Sequence, residues 1–219
     1  LPTAETFAGL SNYIYGVTKM GFLSSLGYSL VITVSSVALI LLCCSMTGWY
    51  LTRVNNKLSK FMNLLIVFSM VVPFQMVMFT LTSTADSLKL NTPWTIPVIY
   101  LGFGAGLAIF MFVGFVKSLP LEIEEAASID GCGPVRTYFN VVLPMLKPAI
   151  SVQLIFTFVE SWNNYFLPAL LLDKAEMKTV PIMIAQLRAA DYSKFDLGKV
   201  YMFILLAILP VLLVYIFLS

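Results

Sequence analysis

The chain has 219 residues, of which 59% are hydrophobic and only 11% charged, under half of the ~25% usual for a soluble domain. So apolar a composition excludes a disordered chain and suggests one membrane-embedded unit. A net charge of +2 gives no basic footprint for nucleic acid, and the absence of His removes histidine general bases, zinc sites and haem ligands.

A bilayer core of ~30 Å needs about 20 apolar residues as helix. Uncharged runs occur at 20–52, 61–85, 90–116 and 200–219, and 148–172 carries a single charge, Glu160. These predict five spanning helices, at about 22–51, 61–85, 93–116, 149–172 and 200–219. The runs are continuously apolar, whereas a membrane barrel would alternate. Prolines at 73, 97, 168 and 210 fall in or near the runs, where neighbouring helices can re-satisfy the backbone. Cys43, Cys44 and Cys132 read as small apolar residues rather than a disulfide framework. The chain starts Leu1-Pro2 and stops within an apolar run, so we expect further elements on either side. The links on the two sides hold six and seven Lys or Arg, so their totals do not set the orientation. Only the link 52–60, with Arg53, Lys57 and Lys60 and no acid, points to the cytoplasm for itself and 117–147 by the positive-inside rule.

Within the spans, Gly102-Phe-Gly104-Ala-Gly106 is not a phosphate loop, which requires a strand before it. Gly102 and Gly106 have small-xxx-small spacing and read as helix packing. Pro73 frees a carbonyl and makes Gln75 a candidate for a polar path, although a packed kink is the preferred reading. Glu160, followed by Ser161, Trp162, Asn163, Asn164 and Tyr165, stands deep in the fourth run. Intramembrane ionisable groups usually face a cavity or a partner, so Glu160, Trp162, Asn163 and Asn164 are path candidates; an interfacial aromatic belt is the alternative.

Two polar islands interrupt the spans. In 117–147, Pro120 suits a first helical position, and Glu122, Glu124 and Glu125 suit the first turns electrostatically. Leu121, Ala126 and Ile129 form a small apolar stripe. Gly131, Gly133 and Pro134 end the helix, and a second short helix follows over 135–142 before Pro144 and Pro148. The second island, 173–199, is mixed in sign; residues 179–187 inside it read as a short outer helix or a solvated loop.

The first island carries a specific pattern: Glu125-Ala126-Ala127, three residues, Gly131, nine residues, Val141, one residue, Leu143-Pro144. It resembles the EAA loop of bacterial ABC importer permeases, with Val141 in place of Ile. Ile129-Asp130-Gly131, Leu143-Pro144-Met-Leu-Lys-Pro148, Pro73-Phe-Gln75, Asn91-Thr92 and Trp162-Asn163 further resemble the carbohydrate-uptake, maltose-permease MalG-like subfamily of the binding-protein-dependent transport inner membrane component family. The resemblance covers roughly residues 22–218 and lacks the family's first helix and tail. It implies an all-α polytopic transmembrane bundle with five of six spans and a cytoplasmic coupling helix in loop 120–148, in a multi-pass protein of the bacterial inner membrane. It also implies that Glu125, Ala126, Ala127, Asp130, Gly131, Leu143 and Pro144 couple to an ATPase. Implied partners are an ATP-binding-cassette ATPase dimer, a second homologous permease, an extracytoplasmic solute-binding protein and the lipid bilayer. No P-loop occurs in the chain, so ATP and Mg are expected in the partner ATPase, with no cofactor, metal or catalytic residue here. The expected cargo is a sugar or polyol. The alternatives are an amino-acid or peptide importer, a non-transporting scaffold or channel, and, for a different chemistry, a membrane-embedded enzyme, which the lack of His and of intramembrane Lys disfavours.

Overall fold

The computed structural model describes residues 11–19, 21–172, 176–189 and 197–218. Among these there is helix and turn, and no strand. A short α1 (Ser11–Lys19) precedes α2 (Phe22–Arg53). The pairs α3 (Lys57–Ser69) and α4 (Phe74–Ser87) follow, then α5 (Ile96–Lys117) and α6 (Leu121–Ile129). Next come α7 (Pro134–Thr137), a π-helical turn Tyr138–Val142, α8 (Leu143–Met145), α9 (Lys147–Asn163) and α10 (Phe166–Leu171). The remaining helices are α11 (Val180–Ala189) and α12 (Leu197–Leu218).

Two helices, α2 and α5, are long and apolar enough to cross a membrane unbroken. Two bent pairs bring the number to as many as four, and α12 adds a shorter apolar stretch, Val200–Ile216. The expected straight span at 61–85 is instead α3 and α4, meeting at 103°. The physical cause is Pro73, which caps α4 in an extended conformation: it lacks an N–H and pushes the residue before it out of the helical region. The expected span 149–172 likewise divides. Asn164 is extended after α9, and its Oδ1 accepts the Leu167 N–H at 3.1 Å, starting α10. Pro97 sits in the first turn of α5, where no donor is lost.

The second expected short helix, 135–142, runs longer, from Pro134 to Met145, with the π turn inside it. That turn precedes Pro144, whose ring would press on the Asn140 carbonyl in a regular α-helix. Pro120 caps α6 rather than entering it. Residues 179–187 fall within helix α11, which buries Val180 and Met183 against Met202 and Phe203 of α12; the charged residues at 173–175 and 190–196 lie outside the described residues.

The main core joins α2 and α5 to the stretch after α6: Ile40, Cys44 and Leu51 meet Phe112, Val113 and Val116, together with Tyr138, Val142 and Leu146. The glycine pair that permits close packing on α5 is not Gly102 and Gly106. A Cβ on Gly104 would lie 2.8 Å from Ile40 Cδ1 and one on Gly106 2.7 Å from Met70 Cγ, while Gly102 faces open space. Polar residues form buried seams at helical spacing: the small hydroxyls Ser25, Ser29, Thr33 and Ser36 on α2, and Thr157 and Ser161 with Gln153 on α9. Small residues allow membrane helices to approach closely.

Candidate functional site

The site is built on one stripe of α2. Ser45, Trp49 and Arg53 recur at four-residue spacing and so share a helix face. Each holds part of the segment 119–142. Arg53 donates from Nε and Nη2 to Glu124 Oε1 at 2.9 and 2.6 Å, and from Nη2 to the Leu119 carbonyl at 3.1 Å. Trp49 Nε1 donates to the other carboxylate oxygen, Oε2, at 2.9 Å. The Arg53 and Glu124 side chains are only 19% and 10% exposed. Such charge-assisted bonds are the stronger kind. One turn further, Trp49 packs on the Tyr138 ring with centroids 5.5 Å apart. The buried Tyr138 hydroxyl shares a 2.6 Å hydrogen bond with Ser45 Oγ.

α6 is thereby clamped along one side, and its other side is left bare. Of its residues only Ala127 is buried. Glu125 and Ala126 are exposed, as are Asp130 and Gly131 just beyond the helix. The small apolar stripe points outward: Leu121 is 47% and Ile129 86% exposed. Sequence spacing grouped Ala126 with that stripe correctly, but it did not show which side the chain itself would cover.

The helix ends in a Schellman turn. Cys132 N–H donates to the Ala127 carbonyl at 2.9 Å and Gly131 N–H to the Ser128 carbonyl at 3.0 Å. Gly131 has φ +82°, and a Cβ there would meet nothing within 4 Å. The demand for glycine is therefore conformational rather than steric. On the returning arm, Leu143 is half-buried against the main core and Pro144 is exposed. The structure thus exposes Glu125, Ala126, Asp130 and Gly131, turns Ala127 inward, and carries Leu143 and Pro144 on the returning arm.

The path candidates separate. Glu160 and Asn163 are exposed on α9, and Gln75 is exposed in the first turn of α4. Asn164 is half-buried and occupied in capping α10. Trp162 is packed inside the bundle and also lines a cavity with Asn163 and Tyr165. It is 2% exposed, stacks on Phe158 with centroids 5.9 Å apart, and donates Nε1–H to the Ala207 carbonyl at 3.0 Å. Its indole holds α9 against α2 and α12, which is the ordinary use of a buried Trp whose N–H finds a partner.

Sequence reading missed Glu124, Arg53, Trp49, Ser45 and Tyr138. The signal was present as the Ser45, Trp49, Arg53 periodicity ending α2, and as a second carboxylate beside Glu125.

The sequence profile of the binding-protein-dependent transport system inner membrane component family matches residues 41–219. The chain belongs to this family. The probable starch degradation products transport system permease protein AmyC of Thermoanaerobacterium thermosulfurigenes is 34% identical over 206 residues, 94% of this chain and 74% of that protein. The arabinooligosaccharides transport system permease protein AraQ of Halalkalibacterium halodurans is 32% identical over 212 residues, 95% of this chain and 74% of that protein. The fold is that of a chain in a bacterial ABC transporter involved in the import of alginate, with a TM-score of 0.80 at 23% identity, over 94% of this chain and 76% of that one. As a family member the chain is a membrane-embedded, multi-pass transport component, a permease rather than an enzyme.

Proposed function

We propose that this permease imports a sugar or oligosaccharide, together with a second permease, an ATPase dimer and an extracytoplasmic solute-binding protein. The observation that carries the reading is α6: a short helix clamped to α2 by Glu124, with Glu122, Glu125 and the apolar Leu121 and Ile129 exposed. A surface that mixes exposed apolar groups with charge suits a protein partner. A helix resting on lipid would favour Lys and Arg on its polar face, and α6 carries none. In this reading the loop 120–148 is cytoplasmic, Glu125 meets a basic group of the ATPase, and closure of the ATPase moves α6 and, through Arg53 and Ser45, α2. The chain would cross the membrane five times, as α2, the bent α3–α4 pair, α5, α9 with α10, and α12. ATP and Mg belong to the partner. The names of the relatives support a carbohydrate cargo.

The test is co-purification and transport. Glu125→Lys should lose the ATPase subunit and sugar uptake in proteoliposomes, while the variant elutes as a folded species. Normal association and uptake would overturn the coupling assignment. Stimulation of ATP hydrolysis by amino acids or peptides but by no sugar would overturn the cargo.

A further inference from the structure

At the end of the bundle where Arg53 lies, α3 begins and α5 finishes, and two adjoining grooves open between them. They measure about 600 and about 250 Å³ and share Asn63, Val113 and Lys117 in their walls. The smaller mixes polar residues, Lys60 among them, with the apolar Leu51 and Val113. The larger runs past Val67 and Phe110 and is mostly apolar.

The two helices present the same order of chemistry. On α3, Lys60 comes first, then Asn63, then Val67. On α5, read back from its end, Lys117 comes first, then Gly114, then Phe110. Seven residues separate lysine from apolar wall on each, about 10 Å along a helix. Both lysines are exposed, and Arg53 is already engaged by Glu124. Asn63 Oδ1 is buried and has no hydrogen-bond partner among the described residues. An acceptor in that position calls for a donor from a bound molecule.

We infer that this groove binds one anionic phospholipid with a hydroxyl-bearing headgroup, of the phosphatidylglycerol class. Its phosphate sits between Lys60 and Lys117, a headgroup hydroxyl donates to Asn63 Oδ1, and an acyl chain lies along Val67 and Phe110. Basic pockets between spanning helices are suited to such headgroups. A free phosphate would use the lysines but leave the apolar groove unfilled. A zwitterionic lipid would bring its own ammonium to a site that already holds two.

The site does not depend on the transport reading, and lipid retention tests it separately. The full-length protein, extracted in mild detergent with the subunits that accompany it, should retain about one phosphatidylglycerol per copy by mass spectrometry. Replacing both lysines, Lys60→Gln with Lys117→Gln, should weaken retention about tenfold or more, since each basic residue near an anionic headgroup contributes measurably. Gly114→Leu should do the same by filling the groove: a Cβ there meets nothing within 4 Å, so α5 itself accepts the side chain. Lys57→Gln, outside both grooves, should retain the lipid. Unchanged retention in the lysine and Gly114 variants would overturn the site. So would an absence of lipid in the wild type. Displacement by inorganic phosphate at the concentration of competing phosphatidylglycerol would replace it with a simple anion site.

Discussion

Removing Glu124 should free α6 from α2 without unfolding either. Glu124 receives two N–H groups from Arg53 and one from Trp49. An exposed ion pair is worth about 0.2–1 kcal/mol, and breaking a fully buried one costs about 3–5 kcal/mol. At 19% and 10% exposure this pair lies between. Arg53 also keeps its bond to the Leu119 carbonyl and can turn toward water once released, which lowers the cost. We expect about 2 kcal/mol for Glu124→Ala, a rise of about 30-fold in the opening equilibrium of α6. Hydrogen exchange by mass spectrometry in nanodiscs reads this directly, because amide exchange tracks local opening. Peptides covering 121–132 should exchange about 30-fold faster, while those from the middle of α2 and α5 stay protected. The double variant Arg53→Ala with Glu124→Ala should be little worse than Glu124→Ala alone, since the two act through one interaction. Wild-type exchange over 121–132, or fully additive effects of the two substitutions, would refute the clamp.

At Gly131 the conformation, not the space, is decisive. Gly131→Ala should cost about 1–2 kcal/mol and Gly131→Asn less, because Asn tolerates the left-handed region; equal exchange rates at the Gly131 and Cys132 amides in both variants would contradict this. The hydrogen bond between Ser45 and Tyr138 should be asymmetric. Tyr138→Phe leaves Ser45 Oγ bonded to the Leu41 carbonyl at 2.5 Å and should cost about 1 kcal/mol, whereas Ser45→Ala orphans a buried phenol and should cost about 1–3 kcal/mol. Thermal unfolding should therefore rank Ser45→Ala as the less stable. Glu160→Gln, at unchanged expression, should alter uptake rate or selectivity; wild-type uptake would remove Glu160 from the path.

How far the sequence reaches can be judged at particular residues. Charge-free runs located the helices because a lipid-facing helix cannot carry unsatisfied charge. They did not show that Pro73 turns the chain through 103°, since hydropathy is blind to direction. The spacing from Glu125 to Pro144 singled out the segment of α6 and its returning arm before any geometry was known. It did not distinguish Glu124, which faces α2, from Glu125, which faces outward. That difference is one helical step of 100°, and it is decided by where Arg53 and Trp49 stand 71 and 75 residues earlier. Trp162 shows the same limit: an indole next to Asn163 suggests a binding surface, and only packing reveals that its N–H donates to the Ala207 carbonyl.

α2 is attached at both ends. Near its start, Ser29 Oγ accepts the Val180 N–H at 2.8 Å; near its finish, Arg53 holds Glu124. Between Gly27 and Gly48 it contains neither proline nor glycine, and its hydrogen-bonded backbone runs unbroken. The two attachments lie 24 residues apart, about 36 Å along the axis. The helix therefore fixes a rotational phase as well as a distance between them. One residue inserted between Ser36 and Ser45 would swing Arg53 about 100° away from Glu124 relative to Ser29. Length variation in this stretch is compatible with both attachments only in near-whole turns, like the thread of a screw.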